Sequence, residues 1–179
     1  MLIHQGTRTI RTERLQLRRY MPSDAASMFQ NYAADERVAR FLTWTPYREE
    51  QELHPFLTDV IQSYEDARTY HWAMDWRGQV IGSISAYQID EKNHSCEVGY
   101  CLGVSYWNRG VTSEALAAVL DYLFEQVRFH RIYAKHDVEN PASGRVKEKC
   151  GMRCEGRLRE HYCRHDGSYS DALIYGIVH

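Results

Sequence analysis

Leu116, Val119, Leu120, Leu123 and Val127 recur at three- and four-residue intervals, the spacing that lines side chains along one buried helix face. Upstream, residues 97–102 read as a strand, and Gly103 and Gly110 break the loop between strand and helix. The rest of the chain arranges itself around this unit. Residues 14–20 alternate as a strand, with Leu15 and Leu17 on one face. A first helix follows Pro22-Ser23-Asp24, carrying Met28, Phe29 and Tyr32. A second, over residues 49–64, carries Leu53, Leu57, Val60, Ile61 and Tyr64. Residues 70–75 and 79–88 form a hairpin about Arg77-Gly78. Ile132, Ala134, His136 and Val138 mark another strand. Asn140 caps a short helix with Pro141 at its first position, and Gly151 closes it. Two long runs, 152–162 and 169–178, are joined by a turn at His165-Asp166-Gly167. Residues 1–12 read as a polar lead-in. The order βααβββαβαββ describes a mixed α/β (α+β) domain. No repeat, low-complexity tract or linker divides it, so residues 1–179 are expected to form one domain.

Chemistry enters at the loop before the central helix. The first amides of a helix have no partner within it. Glu114 falls one position short of a capping box with Thr112. The amides of Asn108, Arg109, Gly110, Thr112 and Ser113 are therefore candidate donors to a phosphate, with Arg109 adding a cation. Neither a Gly-Lys-Ser/Thr loop nor a Gly-x-Gly-x-x-Gly motif is present.

VGYCL, then YWNRGVTSEAL, then HRIYAKHDVENPASGRVKEKCGM together resemble the cofactor-binding core of the GNAT N-acetyltransferase superfamily. Within it the chain is most similar to the branch that acetylates ribosomal-protein N-termini. In the family's phosphate-loop pattern, Gln/Arg-x-x-Gly-x-Gly/Ala, this chain has Trp107, Gly110 and Thr112, and an aromatic first residue is familiar in that branch. The resemblance implies a mostly antiparallel sheet whose central strands splay apart around the pantetheine arm of acetyl-CoA. It implies backbone contacts to that arm from Leu102 and Val104, a cofactor contact from Asn140, and Ser143 as the group that protonates or holds the leaving thiolate. Glu97 and Glu155 match carboxylates of the family and are alternative general bases. Trp44, Tyr47 and Phe56 fall in the segment that walls the acceptor. The implied reaction is direct attack of a protein or peptide α-amine on acetyl-CoA. Acetylation of a small amine and a non-catalytic acyl-CoA-binding module are the competing readings.

Composition narrows the partners. A formal net charge of −2 without a Lys/Arg block excludes a nucleic-acid footprint, and no apolar run suits a membrane span. Five cysteines, odd in number and scattered, point to reduced thiols in the cytoplasm. Only His161 and His165 approach metal-ligand spacing, and no metal is expected. The final strand, 173–178, is expected to leave an unpaired edge through which a homodimer could form.

Overall fold

The computed structural model describes residues 1–164 and 167–179. Its strands are β1 (Ile10–Arg11), β2 (Gln16–Arg18), β3 (Tyr70–Trp76), β4 (Gln79–Asp90), β5 (Ser95–Leu102), β6 (Arg131–Asp137), β7 (Arg153–Cys163) and β8 (Tyr169–Val178). They form one sheet in the order β1-β2-β3-β4-β5-β6-β8-β7. All neighbours are antiparallel except β5 and β6. A parallel pair needs a crossover, and here it is α4 (Val111–Tyr122), continued by a wider turn over Leu123–Val127. Three helices precede β3: α1 (Ala25–Met28), α2 (Glu36–Ala39) and α3 (Leu53–Ser63). The last, α5 (Pro141–Lys149), lies between β6 and β7.

Alternation along β3 separates two cores. Trp72 joins Ile84, Val98, Leu116, Val119, Leu123 and Ile132 on the α4 face. The adjacent Ala73 joins Met28, Tyr32, Leu53, Leu57 and Val60 on the α1/α3 face. The apolar stripe read on the central helix is buried as expected, because α4 lies across strands that present β-face apolar residues to it.

The expected element order holds, with two short additions and two corrections. β1 and α2 carry too few apolar residues to show a period. Residues 1–12 are not a loose lead-in: Leu2 is buried in the α4-side core, and the Ile3 amide donates to Val127 O at 2.8 Å. The unpaired edge is not β8, which lies between β6 and β7. At that end of the sheet it is β7, the other terminal strand being β1, and the two register shifts and arginines 153, 157 and 159 of β7 oppose edge-to-edge pairing. His165 and Asp166, and with them the expected turn and the His161–His165 pairing, lie outside the described residues.

The site is placed by a fork in the sheet. β5 and β6 pair only at Ser95–Arg131, Cys96–Ile132 and Glu97–Tyr133, and then diverge. This is the splay that the sequence resemblance implies. The β5 edge beyond Glu97 has no strand beside it on that side.

Candidate active site

Glu97 is the last residue before the fork and is 4 % exposed. Its direct antiparallel partner is Tyr87 and its parallel partner is Tyr133, so these side chains share a face of the sheet with Lys135. Tyr87 Oη donates to Glu97 Oε1 at 3.2 Å, and Lys135 Nζ stands 3.1 Å from Oε2 as an ion pair. That contact lacks hydrogen-bond alignment, and Oε2 has no hydrogen-bond partner among the described residues. Burial, followed by the nearby carboxylate, pushes the Tyr87 phenol well above its ordinary range, so it stays a donor. Its ring lies over Gly99, where a Cβ would come within 3.0 Å of the hydroxyl.

The opposite face of the fork holds a different group. Tyr100 of β5 donates to the Ser143 carbonyl at 2.9 Å, and its oxygen lies 3.1 Å from Ser143 Oγ. Lys147, one helical turn after Ser143 on α5, donates to Ser143 Oγ at 2.7 Å and approaches His136 Nδ1 at 3.3 Å. Asn140 caps α5, its Oδ1 accepting from the Ser143 amide at 3.3 Å. Two sets of polar groups thus meet the gap from either side: a carboxylate on the α1/α3 face and hydroxyls on the α4/α5 face.

At the mouth of the gap, β5 ends in a short turn, Val104–Tyr106, and an exposed loop, 107–110. Asn108 (φ 58°) and Gly110 (φ 74°) both adopt the left-handed conformation. Gly110 precedes α4 without a side-chain cap. Among the described residues no acceptor meets the amides of Arg109, Gly110, Val111, Thr112 or Ser113. Glu114 turns away from them, held by the Arg14 guanidinium at 2.6 Å and by Thr12 Oγ1 at 2.5 Å. Arg14 also donates to the Arg109 carbonyl at 2.8 Å, pinning the loop. Open amides at a helix N-terminus beside a left-handed glycine fit a diphosphate. Within the same loop, the Trp107 indole donates to the Leu102 carbonyl at 2.8 Å, while the Val104 carbonyl accepts the Trp107 amide at 3.1 Å.

The remaining predicted residues lie elsewhere. Glu155, on β7, is gripped by both terminal nitrogens of Arg131, one at 2.7 Å, and that bonding holds its carboxyl below the ordinary range. Trp44 and Tyr47 pack on each other with ring centroids 5.9 Å apart, at the border of the α1/α3-side core. Phe56 packs edge-on to Tyr20 and His71. His71, Ser85 and Tyr87 line an open cleft of about 420 Å³ over β3 and β4, which Asp66 and Arg68 also border. Phe56 therefore supports the cleft from behind, through His71.

Sequence reasoning missed Tyr87, Tyr100, Lys135, His136 and Lys147. The first four sit on strands, where only the register brings them to the fork. Lys147 alone left a signal, standing four residues after Ser143 on a predicted helix.

Residues 14–153 match the acetyltransferase (GNAT) domain. N-acetyltransferase p20 of Bacillus licheniformis is 30 % identical over 176 residues, covering 95 % of this chain and 96 % of that protein. The ribosomal protein uS5-alanine N-acetyltransferase of Escherichia coli is 24 % identical, over 93 % and 89 % of the two chains. A GNAT-family acetyltransferase structure from Bacillus anthracis superposes with a TM-score of 0.82 at 26 % identity, covering 96 % of this chain and 98 % of that one.

Proposed function

The chain belongs to the GNAT acetyltransferase family and is an acetyl-CoA-dependent N-acetyltransferase, and from that premise we propose that its acceptor is the α-amine of a protein or peptide. The observation that carries this reading is Tyr87, whose ring lines the open cleft over β3 and β4 while its hydroxyl bonds Glu97. An amine at the end of an extended chain lying in that cleft reaches the buried carboxylate. A cleft open along two strands suits a chain end better than an enclosed small molecule. The name of the E. coli relative, a ribosomal-protein alanine acetyltransferase, supports the same acceptor class.

The roles follow from the two sides of the fork. The thioester supplies an acetyl group already activated toward an amine. Glu97 takes the proton that the amine must lose, and Lys135 and Tyr87 orient the carboxylate. Ser143 keeps a hydroxyl proton for the departing sulfur, with Asn140 fixing the first turn of α5 beneath it. The open amides from Arg109 to Ser113 hold the phosphates, and the pantetheine arm runs along the β5 edge left without a strand beyond Glu97, toward Leu102 and Val104, whose carbonyls Trp107 already engages. Direct attack is favoured over a cysteinyl intermediate. Burial pushes the Cys96 and Cys101 thiols up to about 12 and that of Cys150 up to about 11, which withholds a nucleophilic thiolate. Five unpaired cysteines suit a compartment where thiols stay reduced, and we place the enzyme in the cytoplasm on that ground.

Steady-state turnover of acetyl-CoA against a panel of amines tests the acceptor. A peptide with a free N-terminus is expected to exceed polyamines and aminoglycosides in kcat/KM by at least about tenfold, and the N-terminally blocked peptide to be inert. Faster turnover of a small amine would reassign the acceptor. Acetyl-CoA binding without turnover of any amine would leave a non-catalytic module.

A further inference from the structure

Lysine is almost never fully buried unless it is paired. Lys147 is 1 % exposed, and among the described residues no carboxylate lies within ion-pair range of it. Three acceptors take its three ammonium protons instead: Ser143 Oγ at 2.7 Å, His136 Nδ1 at 3.3 Å and the Ser143 carbonyl at 3.4 Å. The rings of Tyr100 and Tyr175 lie 5.3 and 5.9 Å from Nζ and favour a cation there. The Tyr100 proton is committed to the Ser143 carbonyl. With Lys147 donating to Oγ, the proton of the Ser143 hydroxyl has, among the described residues, only the Tyr100 oxygen, at 3.1 Å, as a competing acceptor.

We propose that Lys147 is a positioning residue for acetyl transfer: by donating to Ser143 Oγ, the ammonium keeps the Ser143 hydroxyl proton free for the departing sulfur. This rests on the assignment of Ser143 to that sulfur. A neutral amine at the same place would offer its lone pair to the Ser143 proton and turn it away from the sulfur. Desolvation places this switch in the working range, since it pushes the ammonium down to about 7 against an opposing pull from Glu97. The titratable groups around Lys147 come from every element packed on it. His136 of β6 is held at about 4 by burial and then by Lys147 itself. Tyr100 of β5 and Tyr175 of β8 are both pushed above the ordinary phenol value by burial. Glu97 acts from across the sheet, Asp137 stands beside His136, and Glu148 of α5 accepts from Tyr175 at 3.1 Å. His136 and the two phenols stay neutral through the range in which Lys147 titrates.

The test pairs Lys147→Met, a near-isosteric replacement without a donor, with Ser143→Ala and the double variant. Lys147→Met is expected to lower kcat about tenfold, the scale of one lost hydrogen bond, and to remove the alkaline limb of the kcat–pH profile. Ser143→Ala should be slow in its own right, and the double variant no slower than Ser143→Ala alone. An alkaline limb that persists in Lys147→Met, or single losses that multiply in the double variant, overturns the role of Lys147 while leaving Ser143 in place. Full activity in Ser143→Ala instead removes the assignment of Ser143 on which the proposal stands. A second readout needs no turnover. The chain has only four lysines, 92, 135, 147 and 149, so the ¹³Cε signal of Lys147 can be titrated by NMR in the free enzyme. Ser143→Ala should shift that titration, and an unmoved one overturns the proposal.

Discussion

Glu97 and Glu155 carry the same carboxylate into opposite surroundings. Glu155 stands on the exposed edge strand in a two-pronged bond with Arg131, which stabilises its charged form and leaves little drive to take a proton. Glu97 is buried at the fork, with one oxygen bonded by Tyr87 and the other facing Lys135 at 3.1 Å in a single ion-pair contact without hydrogen-bond alignment. Glu97→Gln is therefore expected to lower kcat/KM by about 10²-fold and to remove the acidic limb of the pH–rate profile. Glu155→Gln should leave kcat within about threefold and act mainly on KM. Its ion pair is partly exposed, so the stability cost should stay near or below about 1 kcal/mol. The measurement is kcat and kcat/KM across pH for both variants. A collapse confined to Glu155→Gln would move the base to β7.

At the scale of elements, the loop before α4 is tethered through one carbonyl and leaves its amides open. Arg14 and Thr12 hold Glu114 and the Arg109 carbonyl, so the acid of the first turn points away from its own amides. Gly110 supplies the left-handed residue that lets the chain enter the helix. Gly110→Glu places a carboxylate among amides that suit an anion, and its acetyl-CoA affinity by calorimetry should fall at least about tenfold. A side chain at φ 74° also adds backbone strain. Gly110→Asn is the control, because asparagine tolerates this conformation, and it should bind nearly as tightly as the parent chain. Equal affinity for all three proteins, with the fold intact, would remove the phosphate-loop assignment.

For the whole molecule, burial of cationic side chains sets how stability responds to pH. His71 and His136 are pushed down to about 4 by desolvation, while the unfolded chain binds those protons near 6.5. Between these values the unfolded state carries more protons, so stability falls as the pH drops through that window. Lys147 acts with the same sign at higher pH, its folded value of about 7 lying below the unfolded 10.5, so stability rises across that interval. Denaturant midpoints should climb from about pH 5 to about pH 9. Lys147→Met should flatten the climb above neutrality and, by removing the charge that helps to hold His136 down, also soften it below. A profile of unchanged slope in that variant would mean that the amine is solvated in solution. Among the described residues no helix is long and apolar enough to cross a membrane.

Local pattern was enough for the elements and for one end of the site. The period of the central helix, the alternation of the strands, the Asn140-Pro141 start of α5 and the glycines of the loop before α4 all act within a few residues, so they are legible in the chain itself. Ser143 and Glu97 were legible as candidates because they stand in short motifs. Tertiary structure decided what each of them faces. Tyr87 reaches Glu97 only through the β4–β5 register, and Tyr100 approaches Ser143, and His136 approaches Lys147, where β5 and β6 have stopped pairing after Glu97. The same packing gave β8 two neighbours and left β7 as the edge, which alternation along one strand could not reveal. It also turned Lys147 from a helix residue of ordinary appearance into a buried donor. Its place in α5 follows from sequence, but its desolvation comes from β5, β6 and β8 closing over it.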